Sequence, residues 1–257
     1  MHQVAAAPAQ VMTMRSPAAG LDIVVPVWNE ERRIGRTLTA MVRHAASMDE
    51  TVSITVVDNG SVDWTVDVVD AAARQSPDNV SVRLLGCSRQ GKGAAVRRGI
   101  QASQSRWVGF CDADLATPPA TLDAVLVELR AGSPVVIGSR RCAGSRTVVR
   151  QPMVRRVGSA GFRLLTRDIT GGVLDSQCGF KFFDAAAAQA IFSRSVVDGF
   201  SFDVEVLGLA ARLGLEIREV PVSWTDAPGS SFGLWTHGRR ILRELHDVRS
   251  SVARAVG

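Results

Sequence analysis

The sequence predicts an α/β domain in which a mostly parallel, Rossmann-like sheet carries helices on both faces. Three observations predict it. Short apolar runs alternate with amphipathic helical patterns through the first 140 residues, which is the mark of repeated βα units. The chain has 257 residues, 46% of them hydrophobic, enough to bury a large core. Five successive apolar runs also end in polar, acidic or phosphate-compatible residues, and in open parallel sheets ligands bind at the carboxyl ends of the strands.

The elements follow in order. LDIVVPVW (21–28) reads as the first strand, and EERRIGRTLTAMVRHAA (30–46) places Ile34, Leu38, Met41 and Val42 on one helical face. VSITVVD (52–58) is the second strand, and WTVDVVDAAARQ (64–75) is a helix closed by Pro77. VSVRLLG (80–86) is the third strand and GAAVRRGIQAS (93–103) the helix after it. WVGFCD, running up to Asp112, is the fourth strand. Pro118 and Pro119 open a helix through Arg130, since proline is tolerated in a first helical turn, and Thr117 is the expected N-cap. SPVVIGSR (133–140) is the fifth strand.

The second half is less regular. Residues 141–152 read as a loop, 153–169 as a helix, and LDSQCGFKFFD (174–184) as a strand or hairpin followed by a short helix. FSFDVEVLGLAARLG (200–214) is a helix ended by Gly214 as a left-handed cap. LEIREVPVSW (215–224) is a strand, 225–233 a glycine- and serine-rich loop, and 235–254 a helix. Ile241, Leu242, Leu245 and Val248 form the apolar stripe of that last helix, with Arg239, Arg240, Arg243 and Arg249 on the other side. Residues 1–20 lack the basic start and continuous apolar core of a signal peptide and read as a disordered tail.

Charge and cysteine usage narrow the function. The net charge is +5, and Lys92 and Lys181 are the only lysines, so the positive charge is almost all arginine. Arginine forms bidentate contacts with phosphate, which fits phosphorylated ligands or an anionic membrane surface. No basic stretch is interleaved with aromatics and there is no tyrosine, which weighs against nucleic acid. Cys87, Cys111, Cys142 and Cys178 form no CxxC pair; free thiols in a reducing cytoplasm are expected. No run of 18 apolar residues is present, so no bilayer span is expected.

The strand ends hold the candidate site. They supply Pro26, Trp28, Asn29 and Glu30; Asp58, Asn59, Ser61 and Asp63; Lys92 between two glycines; Asp112, Ala113 and Asp114; and Gly138, Ser139 and Arg140. Each has an ordinary alternative. Asp58 before Gly60 is also simple Asx-turn chemistry. Gly-Lys-Gly lacks the Walker spacing, and a lysine on a helix-start loop is often just solvated. Asp112 and Asp114 lie too far upstream to cap the next helix. On alternate strand-end positions they share a direction and can hold a hard divalent cation that also takes a diphosphate.

PVWNE (26–30), VVDNGSVDWT (56–65), GKGAAVRRG (91–99), DADLATPP (112–119), GSR (138–140), DSQCGFK (175–181), FDVE (202–205) and EVPVSW (219–224) occur in that order. Together they resemble the family-2 inverting glycosyltransferases of the GT-A fold, in particular the polyprenyl- and dolichyl-phosphate glucosyltransferases and mannosyltransferases. The resemblance spans roughly residues 21 to 224. It implies a GT-A domain at 21–234, with a nucleotide-sugar-binding half (21–140) and a smaller acceptor-side half (141–234), followed by a C-terminal amphipathic helix (235–257). It implies a nucleotide-sugar donor, most readily UDP-glucose, with Ala116 and the CGFK segment leaning toward glucosyl rather than mannosyl transfer. The implied cofactor is Mg²⁺ or Mn²⁺ on Asp112 and Asp114.

By the same resemblance, Pro26, Asn29, Glu30 and Asp58 line the nucleotide pocket, with Lys92 on the nucleotide or diphosphate. Arg140 meets the diphosphate or the acceptor. Gln177 and Lys181 belong to the acceptor side, and Arg155 or Arg156 meets an acceptor phosphate or is simply a solvated basic face. A phosphate acceptor is already ionised, whereas a hydroxyl acceptor needs a carboxylate base, for which Asp203 is the first candidate and Glu205 the second. The acceptor expected is a polyprenyl phosphate at the inner membrane face, the protein being cytoplasmic or peripheral there. A soluble enzyme acting on a small-molecule hydroxyl is the main alternative. A nucleotidyltransferase is disfavoured because VWNEERR lacks glycines, and a non-catalytic nucleotide-sugar-binding protein because both aspartates are present. The last helix has one apolar stripe, which cannot serve both a membrane interface and the domain; docking on the domain is favoured.

Overall fold

The structure, a computed structural model, describes residues 20–147, 161–225 and 234–255. The tail expected before Gly20, the end of the loop expected to 152 with the start of the helix expected from 153, and the loop expected around Phe232 lie outside the described residues. The elements are β1 (Leu21–Val27), α1 (Ile34–Ala45), β2 (Val52–Asp58), α2 (Thr65–Ala73), β3 (Val80–Gly86), α3 (Lys92–Ala102), β4 (Trp107–Cys111), α4 (Thr121–Arg130), β5 (Val135–Ser139) and β6 (Arg146–Thr147). A helical stretch at residues 161–166 is α5. Then come β7 (Phe180–Asp184), α6 (Ala185–Phe192), α7 (Phe202–Arg212), β8 (Ile217–Pro221), β9 (Ser223–Trp224) and α8 (Leu234–Arg254).

Seven strands form one sheet in the order β3-β2-β1-β4-β7-β5-β8. β7 runs antiparallel to both β4 and β5, and the remaining neighbours are parallel. Strand alternation divides the core between the two faces. Leu21, Ile23, Val25 and Val27 of β1 pack with α1, α2 and α4, whereas Val24 packs with α3, α6, α7 and α8 on the other side. On α1, Ile34, Leu38 and Met41 are buried as their helical spacing predicts. Asp22, a charge buried within β1, is satisfied by the Thr55 hydroxyl at 2.8 Å and the Arg83 guanidinium at 2.5 Å.

Several expectations are refined. Thr117 is not the cap of α4. The first amides of that helix bond to the carbonyls of Pro118 and Pro119, so the proline pair forms the entry turn. Ala120 holds the cap position without a side-chain bond. Residues 215–224 are not one strand but β8 and β9, the latter pairing with β6. Only the last five residues of 174–184 are a strand; the rest is an irregular arm. Gly214 does take the left-handed conformation, with φ +69°.

Two of the four apolar stripe residues of α8 have described side chains. Leu245 and Val248 are buried in the core shared with α7, and Arg249 donates to the Leu165 carbonyl at 3.2 Å. No helix among the described residues is long and apolar enough to cross a membrane.

The antiparallel β7 lies close on β4. A Cβ at Gly109 would fall 2.1 Å from Phe182 Cδ1 and 2.5 Å from the Lys181 carbonyl oxygen. Gly109→Ala is therefore expected to cost about 1–3 kcal/mol or more by overpacking. Gly86→Ala, with nothing within 4 Å, should stay near the wild type. Urea unfolding of the two variants checks this.

Candidate functional site

The site is built on the carboxyl edge of β1, β2, β4 and β5, where the parallel strands release the chain into loops. Two of those loops brace each other. Asn29, at φ +54°, accepts from the Val62 amide at 2.9 Å, and its own amide donates to the Ser61 hydroxyl. The Glu30 amide donates to Thr65 Oγ1 at 2.8 Å. Asp58 makes the Asx turn that its neighbouring glycine suggested, accepting from the amides of Gly60 and Ser61 at 3.2 Å. Asn59 staples this loop to the next: its Oδ1 accepts from the Gly91 amide at 2.7 Å and its Nδ2 donates to the Arg89 carbonyl at 2.7 Å. Pro26 is half-buried beside them.

The Gly-Lys-Gly loop does something other than leave a helix terminus open for phosphate. The Asp198 carbonyl accepts from the Gly93 and Ala94 amides, so that chain segment occupies the start of α3. Both glycines are required by the approach: a Cβ on Gly91 (φ +124°) would meet Asp198 O at 2.2 Å, and one on Gly93 would meet Val197 O at 2.4 Å. Lys92, held between them, is not solvated. Its side chain is 19% exposed and its Nζ lies 2.5 Å from Asp112 Oδ1.

Beyond β4 the chain turns through Asp112, Ala113 and Asp114. The buried Ala113 offers its carbonyl to Thr37 Oγ1 of α1 at 2.6 Å. Asp114 accepts from the Ala116 amide at 3.0 Å, and Leu115 takes φ +57°, a strained value for a branched side chain. The Asp112 amide bonds the Gly179 carbonyl at 3.0 Å. Gly179 has to be glycine, since a Cβ there would sit 2.1 Å from Asp112 Oδ2. Burial, and then the Asp112 charge, push the Asp114 carboxyl above the ordinary carboxylate range. Burial also raises Glu30, against the opposing Arg33 guanidinium at 2.7 Å. Burial alone would lower the Lys92 ammonium, but Asp112 and then Asp203 hold its pKa above the ordinary lysine value.

A second buried pair lies behind the first. Lys181 of β7 is fully buried; its Nζ donates to Asp203 Oδ1 at 2.5 Å and to the Cys178 carbonyl at 2.6 Å, and it lies 5.5 Å from the Phe110 ring centroid. Glu205 stands apart from this group. It is fully buried, and its two oxygens accept from the amides of Val196 and Val197. Arg140 is gripped by Asp175, with Nε and Nη2 each at 2.7 Å from a carboxylate oxygen, and it faces the Trp224 ring at 5.5 Å. Burial would raise Asp175, but the Arg140 hydrogen bonds and charge outweigh it and hold the carboxyl below its usual range. Asp175 is itself positioned by Glu219, which accepts its amide at 3.2 Å. Gln177 is half-buried on the same arm. Arg155 and Arg156 lie outside the described residues. Burial pushes the Cys178 thiol up to about 12, the direction expected of a buried structural cysteine.

The structure thus brings Glu30, Lys92, Asp112, Asp114, Lys181 and Asp203 into one electrostatic neighbourhood, with Arg140 on the adjoining strand end. Asp175, Gly179 and Asp198 were missed as site residues, and Asn59 was named only as one of the polar residues at a strand end. Asn59 stands in the strand-end motif DNG and Asp175 in DSQ, on the arm that leads into β7, and that placement was the available signal.

A divalent cation fits this donor set. Asp112 and Asp114 supply oxygens of the kind Mg²⁺ and Mn²⁺ take, and Mg²⁺ is commonly held by one or two carboxylates together with substrate phosphates. The Lys92 ammonium already rests on Asp112 as a cation, and the missing Cβ of Gly179 keeps room for that carboxylate. No group of three or more His, Cys, Asp or Glu converges among the described residues, so diphosphate and water oxygens would complete the shell.

The chain matches the model for glycosyl transferase family 2 over residues 22–198. It is 33% identical over 228 residues to a dolichyl-phosphate beta-glucosyltransferase of Drosophila melanogaster, covering 84% of this chain and 70% of that one. The corresponding protein of Homo sapiens is 32% identical over 228 residues with the same coverage. Among solved structures, glucosyl-3-phosphoglycerate synthase from Mycobacterium tuberculosis in complex with uridine diphosphate is similar with a TM-score of 0.66 at 20% identity, covering 91% of this chain and 80% of that one. The same synthase with Mn²⁺, UDP-glucose and glycerol 3-phosphate gives a TM-score of 0.65 at 20% identity, covering 90% and 80%. At that identity the likeness speaks to the fold, which is GT-A.

Removing one member of the buried pair exposes its importance to folding. Lys181→Met leaves the Asp203 carboxylate buried without its cation and is expected to cost about 3–5 kcal/mol. The double variant Lys181→Met/Asp203→Leu should recover most of that loss. Denaturant unfolding of both, read as midpoints at fixed slope, checks it.

Proposed function

The chain belongs to glycosyl transferase family 2 and is a glycosyltransferase, and from this we propose that it transfers a hexose from a nucleotide sugar, most directly UDP-glucose, to the phosphate of a polyprenyl phosphate with inversion at the sugar carbon. The glucosyl donor and the lipid phosphate acceptor are those in the names of its relatives.

One observation carries the choice of a phosphate acceptor. Asp203 and Glu205, the two carboxylates expected to act as base, are already committed, and the carboxylates around them have partners of their own. Glu30 is paired with Arg33, Asp112 with Lys92, Asp175 with Arg140 and Asp203 with Lys181. Glu205 and Glu219 accept backbone amides, and Asp114 accepts from Ala116. A hydroxyl acceptor needs a base to take its proton. Asp203, the first candidate for that base, is held by a buried ammonium and is poorly suited to the task. A phosphate acceptor brings an oxygen that is ionised at neutral pH, and no base is needed.

The residues then divide the work. Asp58 keeps lone pairs toward the nucleobase while its Asx turn fixes it, and Asn29 and Glu30 are held by the braced loops. Trp28, 64% exposed at the end of β1, offers a stacking face beside them. Asp112 and Asp114 would hold Mg²⁺ or Mn²⁺, which when bound neutralises charge on the departing diphosphate. Lys92 adds a second positive group at that place, and Arg140, pre-set by Asp175, faces the acceptor side; both stabilise charge that grows as the glycosidic bond breaks.

The test is transfer of radiolabelled glucose from UDP-glucose with Mn²⁺, offered a short polyprenyl phosphate in detergent or a panel of small hydroxyl acceptors. Label should enter the organic phase, and Asp114→Ala should lower that transfer by about a hundredfold or more. Productive transfer to a hydroxyl acceptor with no lipid-linked sugar would overturn the acceptor assignment. Unchanged transfer in Asp114→Ala would overturn the metal assignment.

A further inference from the structure

The two lysines of this chain sit in the same small region. Of 30 Lys and Arg residues, 28 are arginine, so positive charge elsewhere is met by guanidinium. Lys92 Nζ lies 2.5 Å from Asp112 and Lys181 Nζ 2.5 Å from Asp203. The two pairs differ in access. Lys181 is fully buried, with its partner's side chain 9% exposed; Lys92 is 19% exposed and Asp112 37%. The inner pair is locked, whereas the outer pair is open to exchange.

An ammonium is a compact point charge with three rotatable donors on a flexible stem, so it can change partners without the planar fit that a guanidinium needs. Asp112 and Asp114 are two neighbouring carboxylates, and the structure shows a cation on one of them. A divalent ion bound to the same carboxylate puts a second positive centre within contact distance of that ammonium, and like charges so close repel strongly. A diphosphate arriving with the metal supplies a new anionic partner for the lysine.

We propose that Lys92 is a built-in counter-ion for the aspartate pair, occupying Asp112 in the donor-free protein and released to the diphosphate when a divalent cation and nucleoside diphosphate enter together. This rests on the donor-site reading above and deepens it. Its consequence is coupling. Metal alone competes with Lys92 and binds weakly; metal with nucleoside diphosphate does not, because the displaced ammonium is paired again. By linkage each ligand strengthens the other by the same factor. Lys92 is thus a positioning group before donor binding and a ligand of the diphosphate after it.

Mn²⁺ binding, followed by electron paramagnetic resonance of the free ion, separates this from a merely structural role. For Mn²⁺ alone, Lys92→Met should bind about tenfold more tightly than wild type, as expected for removal of a like charge near the surface. For UDP with Mn²⁺ the order should reverse, and Lys92→Arg should not show the gain for Mn²⁺ alone. A thermal melt confirms that each variant is folded. A readout on wild type needs no variant: with carbon-13 at Cε, the two lysines give two signals, and Mg²⁺ with UDP should move the Lys92 signal and leave that of Lys181 in place. If wild type takes up UDP with Mn²⁺ while folded Lys92→Met binds Mn²⁺ alone no more tightly, or if saturating Mg²⁺ and UDP leave the Lys92 signal unmoved, the inference is overturned. If wild type takes up neither, the donor-site reading itself fails.

Discussion

The site depends on buried positive charge meeting negative charge behind β4. Lys181 stands in the middle of a seven-stranded sheet with no exposed surface, where an unpaired ammonium would be very costly. Asp203, projected from the first turn of α7, meets that need. The same ammonium holds the Cys178 carbonyl, which fixes the peptide before Gly179, and Gly179 is the seat of Asp112. The orientation of the candidate metal ligand is therefore set from the interior, through one ion pair and one close backbone approach. Double variants apportion such a network better than single deletions, because each deletion strands its partner.

Glycine at a few points makes the arrangement sterically possible. Gly91 and Gly93 let the 197–198 backbone lie against the start of α3, and Asp198 then closes that helix terminus. The Gly-Lys-Gly loop thereby holds one lysine next to Asp112, while its Gly93 and Ala94 amides are taken up by the Asp198 carbonyl. Asp198 further gathers Arg97 and Arg89, the latter at 2.5 Å. At the far side, Glu244 of α8 accepts the Ser201 amide at 3.0 Å, so the C-terminal helix supports the start of α7, next to Asp203.

Much of the fold was legible because hydrophobic period and strand-end polarity are local properties. β1 to β5, the apolar face of α1 and the left-handed Gly214 follow from a handful of neighbouring residues. The direction of β7 was not legible: FKFFD reads the same whichever way the strand runs, and only its pairing with β4 and β5 decides. Site roles were missed where the partner is distant. Asp175 finds Arg140 35 residues away, and Asn59 finds Gly91 32 residues away. The solvated alternative for Lys92 failed because its carboxylate lies across the sheet edge on another loop. Glu205, close to Asp203 in sequence, turned out to serve backbone amides, since its helical position aims it at the 196–197 segment rather than at Lys181.

The Lys92–Asp112–Asp114 cluster is the donor diphosphate and metal site proposed above. A crystal structure with UDP and Mn²⁺ tests it most directly. The expected result is a metal ion bound by Asp112 and Asp114 and by diphosphate oxygens, with Lys92 Nζ moved from Asp112 to the diphosphate. UDP bound elsewhere, or UDP bound at this edge with Lys92 still on Asp112 and no metal on the aspartates, would contradict it.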